Sequence, residues 1–316
     1  MPLARFGPTT TAKEVVQNVD LRGKLAVLTG ASIGIGAETA RVLAMSGADI
    51  MIGARQTSKL TALSQELDRS YGVKAYVYPL DLSDQTSINS FADAVLMLSR
   101  PLDILCVNVG LVTHERAVNG CDNELQFSVN SLGHALLVSR LAAVLAKGTK
   151  SGLVCLSSCG HQQGPIDFED PNFEVRPYSW LLAYRQSKSA MALLALKAQS
   201  VFGPKGVTCF SVHPGVIRTE LQQLTLLDIQ RHAGKIPVAD PARYKSVAQS
   251  AATSVWAVAY PGIEAFGGAY LEDCSVAPPV DEVNPTYGGM QHARDPVLAD
   301  KTWRLAERLL GRELAL

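Results

Sequence analysis

Short apolar runs alternate with longer amphipathic stretches along most of this chain, and that alternation constrains its fold more than any single motif. Residues 24–29, 49–53, 73–79, 103–107, 153–157 and 207–212 read as strands, each brief, aliphatic or β-branched, and bounded by turn formers. Helical patterns fill the gaps at about 36–46, 57–71, 84–99, 122–146 and 183–202. Strands separated by helices return through crossovers, which are right-handed and cover both faces of a parallel sheet. The runs are apolar throughout, as strands buried on both sides should be. The expected fold is α/β: a single doubly wound Rossmann-type domain with a mainly parallel sheet and helices on both faces.

Past His213 the order loosens. Segment 214–241 is mixed and carries Leu221, Leu224, Leu226, Leu227 and Ile229. A helix at 242–259, a short strand at 268–271, a Pro-rich loop and a terminal helix at 296–312 are expected beyond it. No repeat, charge block or linker divides the 316 residues, so one domain is expected over 1–316.

Composition narrows the function classes. Apolar residues make up 47% and charged residues 18%, with a formal net charge of zero. That argues against extensive disorder and offers no basic surface to nucleic acid or an anionic membrane. The six cysteines form no Cys-x-x-Cys pair and several sit in apolar runs, so buried, reduced, inert thiols are expected. No apolar leader opens the chain, and apolar stretches elsewhere are broken well before the ~18 residues a membrane span needs. A cytoplasmic protein is the expectation.

After the first strand comes Thr29-Gly30-Ala31-Ser32-Ile33-Gly34-Ile35-Gly36. Glycines let the backbone turn tightly and approach a pyrophosphate, while the following helix offers unpaired N–H groups and a positive dipole end. This turn resembles the Thr-Gly-x-x-x-Gly-x-Gly turn of short-chain dehydrogenases. The resemblance makes residues 1–22 an extension, 24–212 a dinucleotide-binding core and 213–316 the substrate loop and C-terminal elements. It implies cofactor contacts from Gly30, Ser32, Gly34, Ile35 and Gly36, from Asp81-Leu82 at the adenine, and from Asn108 and Gly110 after the fourth strand. Pro214, Gly215, Ile217 and Thr219 match the Pro-Gly-x-x-x-Thr segment that closes over the nicotinamide. Val107 and Val109 depart from the family's Asn-Asn-Ala-Gly turn.

The second strand ends Gly53-Ala54-Arg55. An NAD enzyme usually places a carboxylate there for the ribose 2′-OH, whereas a guanidinium pairs with a 2′-phosphate. NADP(H) is therefore the expected cofactor, with NAD(H) also accepted. Asp49 stands at the wrong end of its strand for the ribose and reads as a strand-start residue.

Tyr184 and Lys188 lie four apart in a helix that follows the fifth strand, hence on one face. That strand ends in Ser157-Ser158, at the carboxyl edge where open α/β sheets bind ligands. The resemblance assigns catalysis to Ser158, Tyr184, Lys188 and Asn130, with Tyr184 and Lys188 also touching the cofactor. Tyr184 exchanges the proton, Lys188 lowers the phenol's pKa and bonds the ribose, Ser158 donates to the substrate oxygen, and Asn130 holds a water beside the lysine. Ser157 is expected to face the sheet.

Thr10–Glu14, Ser158–His161, Gln249–Thr253 and Gly267–Tyr270 resemble the branch containing retinol dehydrogenases and the WW-domain oxidoreductase. Residues 159–183 lengthen the usual interval between serine and tyrosine about twofold. Phe168, Phe173, Trp180, Leu181 and Leu182 there either wall an apolar pocket with segment 221–229 or pack into the core or a subunit interface. The expected substrate is an apolar ketone, aldehyde or secondary alcohol. No metal is expected, since the six histidines show no ligand spacing. Family habit implies a homodimer or homotetramer, although the insertion and terminal helix are candidates for covering the usual interface. Two rivals stand: a non-catalytic NADPH-sensing protein on the same fold, and a C=C reductase.

Overall fold

The computed structural model describes residues 6–217, 244–282 and 287–316. Its centre is β1 (Leu25–Thr29), buried along its whole length and paired in parallel with β2 (Asp49–Ala54) on one side and β4 (Ile104–Val107) on the other. β3 (Ala75–Pro79) extends the first side. β5 (Ser151–Leu156) and β6 (Val207–His213) extend the second. A short pair, β7 (Val216–Ile217) with β8 (Tyr244–Lys245), stands apart from this sheet. β9 (Tyr270–Glu272) joins β6 in parallel, and β10 (Ser275–Val276) closes the edge antiparallel to β9. The order is β3-β2-β1-β4-β5-β6-β9-β10, with its reversal of direction between β1 and β4. Such a reversal leaves a crevice at the carboxyl ends of the strands.

The helices α1 (Ala12–Val15), α2 (Gly34–Met45), α3 (Thr57–Tyr71) and α8 (Val247–Ala259) pack on one face, around Leu28, Ile50, Phe210 and Trp256. On the other face α4 (Gln85–Met97), α6 (Gly133–Leu145), α7 (Trp180–Phe202) and α9 (Pro296–Leu310) pack around Leu105, Leu136, Leu153 and Trp303. Local signals set the ends. Gly72 closes α3 at φ +67°, its N–H donating to Asp68 O. Asp295 caps α9 ahead of Pro296, and Gly311 ends it at φ +66°.

Several expectations need correction. α7 begins at Trp180, three residues before the expected 183, because the Ser179 hydroxyl accepts the Leu182 N–H as an N-cap. α1 was not expected; Thr11 and Glu14 form a capping box that starts it. The helix expected over 122–146 is composite: α5 (Leu125–Phe127), a π-helical segment Ser128–Leu132, then α6. This 21-residue stretch is apolar and long enough to cross a membrane, contrary to the expectation of early interruption, but 83% of its most apolar window is buried in the core. Among the cysteines, Cys106, Cys155, Cys209 and Cys274 are buried as expected, while Cys159 is half-buried and Cys121 is exposed. Thr219 and Leu221–Ile229 lie outside the described residues.

Trp303 is buried in one cluster with Phe127, Leu132 and Leu194 of the helices beneath α9 and lines a small cavity with them. Trp303→Ala should cost about 3–5 kcal/mol of stability in urea unfolding; a loss under ~1 kcal/mol would mean that α9 is not integral to the core.

Candidate active site

The glycine turn is a close-packed piece of backbone. Gly30 sits at φ +70°, and a Cβ there would lie 2.7 Å from Val109 Cγ2. At Gly36 a Cβ would meet the Gly30 carbonyl at 2.4 Å and Asn108 Nδ2 at 2.8 Å. Only hydrogen fits at either place. Gly34 adopts φ +61° and opens α2, whose N-cap residue Ile33 offers no side-chain cap. The leading N–H groups of α2 are thus left for an anion, which fits the diphosphate of a dinucleotide. Ser32 and Ile35 are half-buried in the same turn.

The other residues expected at the cofactor border this turn. Arg55 is exposed just past β2 and forms no ion pair among the described residues. Asp49, at the far end of β2, is held by Arg100 at 2.5 Å and accepts the Lys74 N–H, a structural role. Asp81 turns the chain after β3 by accepting from Ser83 N and Oγ, and Leu82 is buried against Gly133. Asn108 Nδ2 donates to Gly30 O at 3.2 Å. Pro214 is buried, Gly215 turns at φ +87° against the Lys245 side chain, and Ile217 is buried in β7. Thr219 lies outside the described residues.

Ser158, Tyr184, Lys188 and Asn130 come together at the carboxyl edge of β5. The Ser158 and Tyr184 side chains meet beside Gly160, where a Cβ would lie 3.5 Å from Ser158 Oγ and 3.6 Å from Tyr184 Cε1, and Ser158 Oγ accepts the Gly160 N–H at 3.1 Å. Ser157 turns the other way and donates to Lys188 O of α7 at 2.8 Å, so it faces the helix where the sheet was expected. Lys188 Nζ donates to Leu156 O at 3.0 Å, stands 5.7 Å from the Tyr184 ring centroid, and would be 3.4 Å from a Cβ on Gly110. Asn130 Oδ1 accepts the Leu111 N–H at 2.7 Å, while its Nδ2 donates to Leu111 O and Ser187 Oγ, each at 3.0 Å. It lies in the π-helical segment, a distortion often found at functional sites.

Burial governs the charges. It pushes Tyr184 up to about 12, the Ser158 hydrogen bond pulling only partly back. It pushes Lys188 down to about 8. Burial dominates at the phenol, and the Lys188 ammonium is engaged by Leu156 O. His161 anchors the serine loop, since Met290 N–H donates to its Nε2 and its Nδ1 must then donate to Ser158 O, at 2.7 Å. Burial holds this ring neutral, at about 4.

Sequence reasoning missed His134, which joins the two halves of the site. Its Nδ1 faces Asn130 O at 3.0 Å and its Nε2 faces Thr29 Oγ1 at 3.1 Å. A carbonyl only accepts, so Nδ1 carries the proton, Nε2 accepts, and the threonine hydroxyl donates. Burial keeps the ring neutral, at about 4. Thr29 Oγ1 in turn accepts the N–H groups of Asn108 at 2.9 Å and Val109 at 3.3 Å. The chain runs from the glycine turn to Asn130.

The insertion splits in role. Phe173 is 4% exposed, with Arg176 stacked over its ring, so it packs inward. Phe168 is partly buried beneath Lys301, and Leu182 is exposed. A cavity of about 480 Å³ lined by Ile166, Phe168, Leu182, Gln186 and Lys301 lies along α7 away from Tyr184, since residues 182 and 186 fall on the opposite helical face. Trp180 is half-buried beside His114.

A doubly wound sheet with an uncapped glycine turn and a tyrosine–serine–lysine cluster at its edge defines a dinucleotide-dependent oxidoreductase. Comparison makes the class specific: the short chain dehydrogenase family profile matches residues 24–229, and the chain belongs to that family. A probable oxidoreductase of Streptomyces lividans is 36% identical over 90% of this chain and 97% of its own. The WW domain-containing oxidoreductase of Homo sapiens is 31% identical over 98% of this chain and 73% of its own. Retinol dehydrogenases of Mus musculus and Homo sapiens match as well, so the branch resemblance holds. Among solved structures, a short chain dehydrogenase from Burkholderia cenocepacia in complex with NADP superposes with a TM-score of 0.64, 25% identity, and coverage of 79% of this chain and 96% of that one.

Thr29→Val preserves shape but removes the hydroxyl that serves two N–H groups and His134. We expect a loss of about 2–3 kcal/mol in urea unfolding and a severalfold weaker NADPH titration; a variant matching the parent in both would show that the relay carries nothing.

Proposed function

We propose that the protein interconverts an apolar ketone or aldehyde with its alcohol, using NADP(H) in preference to NAD(H), with Tyr184 as proton donor in reduction and acceptor in oxidation. The observation that carries this reading is the approach of the Ser158 and Tyr184 side chains to one another beside Gly160, with Lys188 one helical turn further along α7. Two hydroxyls converging at one point suit a carbonyl oxygen that gains negative charge as it is reduced. The nicotinamide cofactor supplies or takes the hydride.

Each side chain has a defined task. With its pKa near 12, Tyr184 stays protonated at neutral pH and is ready to donate. Ser158 shares the developing charge. Lys188 spends one N–H on Leu156 O and keeps two for ribose hydroxyls. Asn130, locked between Leu111 and Ser187, fixes the loop on which Gly110 approaches the lysine. Exposed Arg55, with no carboxylate at the end of β2, supports the 2′-phosphate, as does the relative solved with NADP.

Tyr184→Phe should lower turnover of apolar ketones by about 10²–10⁴-fold while NADPH still binds, read by cofactor fluorescence; activity within a few-fold of the parent would sink the assignment. Arg55→Asp should cut the NADPH-over-NADH ratio of kcat/KM by at least ~10-fold, whereas an unchanged ratio removes the basis for cofactor choice. Because the Lys188 pKa is lowered, its charge is present below about 8 and lost above it. Ketone reduction should therefore be flat near neutrality and fall as pH rises through about 8; a profile flat to high pH would mean that the ammonium charge is not needed.

A further inference from the structure

Trp180, Tyr184 and Lys188 stand at i, i+4 and i+8 of one unbroken helix and so form a single stripe. Successive members rise by ~6 Å along the helix axis. Lys188 marks the inner end of the stripe, at the cofactor loop. The phenol stands in the middle, and the indole lies one turn outward. Segment Gly110–His114 runs beside this stripe in matching order. Gly110 approaches Lys188, Leu111 is tied to Asn130, Thr113 Oγ1 meets the Tyr178 hydroxyl at 3.4 Å, and the His114 ring lies 5.2 Å from the Trp180 ring at 62°. Loop and helix thus converge again at the level of the indole.

Both walls are held from behind. Gln126 Nε2 donates to Trp180 O at 3.0 Å and the Tyr178 hydroxyl at 2.9 Å, and lies 3.3 Å from Thr113 O. Buried Glu124 accepts from the Tyr178 hydroxyl at 3.2 Å. This buried network fixes the loop and the start of α7 relative to each other, so a ligand meets a wall already in place. The other two tryptophans, Trp256 and Trp303, are core residues, as is Phe173 of the same insertion. Trp180 alone of these four is half-buried, and it makes an edge-to-face contact with His114.

We infer that Trp180 and His114 form the outer wall of the substrate cleft and select carbonyl compounds that carry a flat apolar ring about one helical turn from the reacting carbon. The inference rests on the carbonyl-reducing reading and adds the shape of the substrate to it. The indole stacks on the ring while the carbonyl oxygen reaches Tyr184 and Ser158.

The test compares 4-phenylbutan-2-one, whose ring is two methylenes from the carbonyl, with butan-2-one. Kinetics with saturating NADPH are measured on the parent, Trp180→Ala and Trp180→Phe, with NADPH affinity as the check of folding. Ligand binding to the NADP⁺-loaded protein is followed by tryptophan emission, which does not require turnover. The parent should prefer the phenyl ketone in kcat/KM. Trp180→Ala should lose that preference by about tenfold, chiefly through KM, and Trp180→Phe should keep most of it. Saturable quenching by the phenyl ketone should occur in the parent, persist in Tyr184→Phe, and vanish in Trp180→Phe. If both ketones are inert while the quenching remains, the wall stands and the reaction assignment falls. If turnover proceeds with a ratio unchanged in Trp180→Ala, or with quenching unaltered in Trp180→Phe, the wall is refuted and the reaction assignment survives.

Discussion

The arrangement depends on a buried hydrogen-bond chain through a neutral imidazole. Thr29 ends the central strand, His134 opens the long helix across the crevice, and the ring between them fills one acceptor and uses one donor. Burial makes that the only economical protonation state, since a charged ring would pay for desolvation and still face a donor with its second N–H. The threonine hydroxyl is fixed as donor in consequence, which frees its lone pairs for the backbone after β4. The close approach of Gly30 and Gly36 to that loop depends on the same alignment. Cofactor turn and catalytic edge are therefore one hydrogen-bonded unit.

Desolvation sets the working charges around this unit. A lysine one turn from a tyrosine invites the idea that it lowers the phenol's pKa; here its ammonium donates to Leu156 O, and burial dominates at the phenol. The resulting pair is a protonated phenol and an ammonium easily discharged. Both suit a site that delivers a proton in the reducing direction near neutrality. Drawing a proton from an alcohol would require added positive charge close to the phenol.

What was legible in the sequence was local. The strand–helix alternation, the glycine spacing and the four-residue step from Tyr184 to Lys188 each lie within one element or one turn, where period and backbone freedom speak directly. Which of Ser157 and Ser158 faces the helix was not readable: the choice between them came from family resemblance, and Ser157 bonds the α7 backbone where the sheet was expected. Nor was His134, because its meaning comes from Thr29, 105 residues away. The same holds for Gln126, whose three acceptors come from two other segments, and for the π-helical segment, whose apolar pattern looks like an ordinary helix. Phe168, Phe173 and Trp180 looked alike as apolar residues in one insertion, and only packing separated them.

That separation begins with a single cap. Ser179 accepts the Leu182 N–H and starts α7 there, one turn ahead of Tyr184. Had the helix begun at Ala183, Trp180 would belong to an irregular loop and its ring would have no fixed relation to the phenol. Starting at Trp180 instead places the indole on the same stripe as the tyrosine and lysine, and Gln126 then secures its carbonyl from behind. A single N-cap hydroxyl thereby decides which side chain stands one turn ahead of Tyr184. The proposed substrate wall depends on this turn of helix, which lies in the longer interval between Ser158 and Tyr184.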